Sequence, residues 1–116
     1  MFAFYLVVTV LAALANSYAA VTDFMQTEQA VANATKVGTS RAWLFPLGAL
    51  KAAGAVGLLV GIGVPLVGIV AAVGLIAFFI CAVGAHIRVR WFSTIPIPTL
   101  FLVLAAGALA LRVATP

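Results

Sequence analysis

The sequence predicts an all-α integral membrane protein: a bundle of four antiparallel spans joined by short loops. Three observations carry that expectation. Of the 116 residues, 66% are hydrophobic and only 7% are charged, whereas a soluble domain has roughly a quarter of its residues charged. Mean hydropathy is +1.32, so there is far more apolar surface than so short a chain can bury from water. The apolar residues also gather into four blocks, each near the ~20 residues needed to cross a ~30 Å hydrocarbon core. With no linker between them, residues 1–116 read as one membrane domain.

The first span is expected at Phe2–Val21. Its end, "ANSYAA", has the small residues of a signal-peptide cleavage site, but no Lys or Arg precedes the apolar run, which favours a retained span. Next comes the only long polar stretch, Thr22–Ala42, with both acids of the chain, Asp23 and Glu28. A short interfacial helix over Asp23–Ala34, ended by "VGTS", competes there with a solvated connector. The second span is expected at Trp43–Ile62 and the third at Pro65–Ala85, with "GVP" as the tight turn between them. "STIPIP" leads into a fourth span at Ile95–Val113, where Pro96 and Pro98 fit the first helical turn.

The charges speak to topology. The six basic residues, Lys36, Arg41, Lys51, Arg88, Arg90 and Arg112, are dispersed and form no stripe, which argues against a nucleic-acid partner despite the net charge of +4. Lys36 and Arg41 fall in the loop between spans one and two, and Arg88 and Arg90 in the loop between spans three and four. The positive-inside rule then places both loops in the cytoplasm and both termini outside a plasma membrane, with Trp43 and Trp91 at one interface. With Cys81 and His86 the single residues of their kinds, this chain alone offers neither an internal disulfide nor a metal or haem site. Cys81 reads as apolar filler.

Small residues mark the packing faces. Ala53, Gly57 and Gly61 recur every four residues in the second span, and Gly68 and Ala72 repeat that spacing in the third. Such GxxxG-type stripes let membrane helices approach closely, either inside one bundle or against a partner.

Lys51 is the anomaly. It stands about 12 Å along a helix from Trp43, in an otherwise apolar span. A lysine at the bilayer centre costs ~3 kcal/mol on insertion scales, so it must either snorkel or find a polar partner. By depth, Asn16, Tyr18 and Asp23 of the first span and His86 of the third are the candidates, and together they would line a polar pocket in the cytoplasmic half. No nucleophile–base–orienter set is visible, so no catalytic residue is assigned.

The run from Pro46 to Arg112 resembles the DoxX-like family of small four-span membrane proteins. The matching stretches are "GAVGLL" from Gly54, Pro65 at the head of the third span, "AAVGL" from Ala71 and "GAHIR" from Gly84. The resemblance implies a four-helix membrane bundle, and some relatives look like small subunits of a thiosulfate:quinone oxidoreductase or anchors for redox enzymes. Many members carry a glutamate where this chain has Lys51, so no proton or quinone role transfers to that position.

Three functions follow as expectations. The leading one is a non-catalytic accessory or anchoring subunit, packed by its small-residue faces against a larger membrane complex, with a redox assembly among the candidates, or against another copy of itself. The second is a quinone-linked oxidoreductase subunit that uses the pocket around Lys51 to hold a quinone carbonyl or an anion, quinone or lipid being the bound molecules to look for. The third is a permease, which at this length needs a dimer and lacks the interrupted repeats of transporters.

Overall fold

The computed structural model describes residues 2–90 and 95–115. Every regular element in that range is helical: α1 (Phe2–Phe24), α2 (Glu28–Lys36), a 3-10 turn at Arg41–Trp43, α3 (Leu44–Val60), α4 (Pro65–Arg88) and α5 (Pro96–Ala114). Three of these helices, α1, α4 and α5, are long and apolar enough to cross a membrane.

The boundaries follow local chemistry. α1 continues past the expected end at Val21, taking Asp23 into its last turn, and stops where Gln26 adopts a positive φ of 50°. The short helix after it therefore begins at Glu28 rather than Asp23. Thr27 caps it, its hydroxyl accepting from the Ala30 amide at 3.2 Å. Gly38, at φ +80°, closes α2, with its amide and that of Thr39 donating back to Thr35 and Ala34.

α3 is shorter than the expected second span. Its 17 residues extend about 25 Å, and the chain turns at Gly61–Val64 before Pro65 opens α4. The amides of Gly61 and Val64 still bond to Gly57 and Val60, so the turn leaves few orphan groups. At the other end α4 runs three residues beyond its expected limit, to Arg88, and Arg90 at φ 56° ends it. α5 starts with Pro96 and Pro98 in its first turn.

The helices touch in a closed order: α1 on α3, α3 on α4, α4 on α5, and α5 back on α1. The interior mixes small and polar residues with a few large ones, Tyr5, Leu58, Leu75 and Phe79. On α1 the buried face is Tyr5, Thr9, Ala12, Ala13, Asn16, Ala20 and Asp23, while Phe4, Val7, Leu11, Leu14 and Val21 point outward. The central core joins Ala12, Leu58, Ala72, Leu75, Phe79, Ala105 and Ala108. Many large apolar side chains turned out, with alanines prominent in the core, suit a lipid solvent, where helices gain by close approach rather than by escape from water.

The α3–α4 seam has the closest approach. A Cβ on Gly61 would strike the backbone of Gly68, and one on Gly57 would lie 2.6 Å from the Ala71 Cβ. One on Gly54 would lie 2.6 Å from Leu75 Cδ2. Contact thus passes from backbone to methyl to isobutyl along the seam, so the two backbones diverge with distance from the turn.

Candidate functional site

Asp23 and Lys51 meet across the α1–α3 interface. Lys51 Nζ donates to Asp23 Oδ2 at 2.8 Å, and the two side chains are 15% and 8% exposed. The carboxylate reaches this position because α1 keeps Asp23 on its buried face, seven residues after Asn16 and fourteen after Thr9. Each step of seven returns a helix to within ~20° of the same direction. Room for the pair comes from Gly48, whose hydrogen faces Asp23 Cβ and the Phe24 ring. An ammonium beside the C-terminal turn of α1 also complements the carbonyl end of that helix. The ammonium lies 5.3 Å from the centre of the Phe78 ring on α4, a further favourable contact for a desolvated cation.

Beside this pair is a cavity of about 210 Å³, lined by Ala19, Lys51, Phe78, Phe79, His86 and Phe101 among others. Its wall is aromatic: Phe78 meets Phe79 edge-on at 4.9 Å between ring centres, and Phe79 meets Phe101 at 5.1 Å. His86 Nδ1 is 2.9 Å from the Ala82 carbonyl; since a carbonyl only accepts, Nδ1 carries the hydrogen and the ring is held in place. Of the three N–H bonds on Lys51, Asp23 takes one.

The structure separates the other residues of the expected pocket. Asn16 is fully buried two turns before Asp23 on α1, its amide donating to the Ala12 carbonyl at 2.9 Å while Oδ1 has no partner among the described residues. Tyr18 does not join them. It is 72% exposed, because two residues beyond Asn16 a helix has turned ~200° to the opposite side. Depth alone suggested it; the angle around the axis excludes it. Cys81 is likewise exposed on the outer side of α4 rather than buried filler.

Among the small residues, Gly57, Gly61, Gly68 and Ala72 lie in contacts within the chain, whereas Ala53 is exposed. Gly54 takes the place in the seam expected for Ala53. The charged connectors meet at one end of the molecule, where Arg88 Nη2 donates to the Val37 carbonyl at 3.1 Å. Trp43 is 57% exposed near that end, Arg90 is exposed beyond α4, and Trp91 lies outside the described residues.

Arg112 is the residue that sequence reasoning placed least well. Read as a topology signal near the outer surface, it is only 6% exposed. Its guanidinium donates to the carbonyls of Gly61 at 3.3 Å and Thr115 at 2.9 Å, and stacks 4.6 Å from the Tyr5 ring. Thr9, also missed, is fully buried with an unpartnered hydroxyl. The seven-residue spacing of Thr9, Asn16 and Asp23 was the available signal for a polar inner face on α1. Among the described residues no three His, Cys, Asp or Glu side chains gather as metal ligands.

No curated protein and no solved structure matches the chain. The DoxX-like family matches residues 7–108, a range that takes in Asn16, Asp23, Lys51, the α3–α4 seam and His86. The chain belongs to the DoxX-like family.

Proposed function

We propose that this chain is a four-span plasma-membrane subunit that holds a small, flat, carbonyl-bearing ligand of the quinone class between Lys51 and His86, on behalf of a larger redox assembly. The observation that carries the reading is the make-up of the cavity: an ammonium with N–H bonds beyond the one given to Asp23, set against three phenylalanine rings and a fixed imidazole. At about 210 Å³ the space is below the ~300–1,000 Å³ of sites for drug-sized molecules and suits a single ring.

The chemistry is that of a donor. Lys51 would give a hydrogen bond to a carbonyl oxygen and stabilise negative charge developing there as the ring gains electrons. Asp23 keeps the ammonium in position and offsets its charge when the cavity is empty. The cavity lies at the end where the two basic connectors meet, and the positive-inside rule places that end in the cytoplasm.

Binding of a tail-free benzoquinone to the full chain in lipid nanodiscs tests the reading. The comparison is with a double variant, Asp23→Asn with Lys51→Met, which removes both charges together and strands neither. Binding at least about tenfold weaker in the double variant is expected, the worth of one charge-assisted hydrogen bond. Equal binding by both proteins sinks the quinone reading and leaves the non-catalytic accessory subunit in its place.

A further inference from the structure

The outer side of the α3–α4 seam carries a groove of about 480 Å³, walled by Leu50, Ala53, Gly57, Val67, Val70 and Gly74 among others, and almost wholly apolar. It extends about 13 Å along α4, from Leu66 to Leu75. The end away from the Gly61–Val64 turn approaches the cavity: Leu50 precedes Lys51 on α3, and Leu75 lies one turn before Phe78 on α4. Lys51 and Phe78, 5.3 Å apart from ammonium to ring centre, are therefore the partition between an apolar groove facing lipid and a polar-headed cavity inside.

The seam changes character at that partition. Gly61 and Gly68 meet backbone to backbone, and Gly54 faces the Leu75 side chain. Beyond them the helices are held apart by two long side chains. A cation–ring contact of this kind is worth about 0.5–2 kcal/mol, and Phe78 also rests edge-on against Phe79 at 4.9 Å, so a turn of the Phe78 ring that opens the partition gives up both contacts.

Resting on the proposed ligand site, we infer that the ligand is an amphiphile: its head occupies the cavity beside Lys51 and its apolar chain lies in the α3–α4 groove, with Phe78 as the gate through which the head arrives from the bilayer. Because the groove ends where the cavity begins, at Lys51 and Phe78, it is assigned to the ligand's own chain: a groove and a headgroup site end to end match one molecule with two chemically unlike parts. A packed helix from a second copy is the rival occupant.

Gly74 provides the test, because a side chain added there meets nothing within 4 Å in this chain and projects from the groove wall. Full-length protein in nanodiscs is titrated with two benzoquinones of one ring structure, one carrying only methyl groups and the other a decyl chain. Gly74→Leu should weaken the decyl compound about tenfold, the loss of roughly two buried methylenes, and leave the methyl compound within about twofold. Equal effects on both compounds, or on neither, overturn the inference. A decyl compound with a photoreactive group at its chain end should label Leu66 or Val70. Labelling confined to α1 or α5, or a crosslinked dimer through this face in place of labelling, also overturns it. Should the methyl compound not bind at all, the cavity reading fails by itself, and the position of the photolabel still decides the groove.

Discussion

Lys51 on α3 and Asp23 on α1 form a 2.8 Å ion pair whose partners are only 15% and 8% exposed. Each charge is the condition for the other's presence in an apolar medium, because an unpaired ion there is costly. Either single substitution, Asp23→Asn or Lys51→Met, is expected to destabilise the protein by about 2–4 kcal/mol, since it strands a largely buried charge. The double variant should recover most of that loss. Unfolding in mixed micelles with increasing sodium dodecyl sulfate measures all three, and additive losses would contradict the pairing.

Glycines in the seam should divide sharply. Gly61→Ala pushes a methyl into the Gly68 backbone and is expected to cost about 1–3 kcal/mol, as overpacking does. Gly74→Ala, with open space around its Cβ, should be neutral or stabilise by up to about 1 kcal/mol through helix propensity. The same unfolding measurement ranks them; a Gly74→Ala loss as large as that of Gly61→Ala would show that the seam is misdrawn.

How much of this was legible beforehand depends on which coordinate of a helix is considered. Position along the axis was readable: the apolar runs, Pro65 and Pro96 as helix openings, and the shared end of the two basic connectors all came from local chemistry. Position around the axis was not used for Tyr18, which shares Asn16's depth but faces the opposite way. Arg112 was missed for another reason. Its partners, Tyr5 and Gly61, are remote in sequence, and only tertiary packing brings a terminal arginine onto an aromatic ring.

Arg112 and Tyr5 should prove energetically coupled. Arg112→Gln and Tyr5→Leu are each expected to destabilise, and a double-mutant cycle should return a coupling of about 0.5–2 kcal/mol for a desolvated guanidinium–ring contact. A coupling of zero would mean that the contact contributes nothing beyond packing.

Asn16→Leu is expected to preserve or slightly raise stability. The amide's one hydrogen bond stays within α1, while its oxygen is buried without a partner, and replacing a half-satisfied polar group by an apolar one of similar size is close to neutral. A loss above about 2 kcal/mol would reveal a buried water or ligand atom bonded to that oxygen.

Arg112 binds the carbonyl of Gly61, and Gly61 abuts Gly68, so one end of the α3–α4 pair is clamped while the other diverges. Any tilt of such a pair would pivot at the turn. Ten residues, or ~15 Å, separate Gly61 from Lys51, so a small tilt at the clamp would be larger there. On the proposed ligand reading, affinity beside Lys51 would answer to a substitution at Gly61 or Gly68, a contact that touches no ligand.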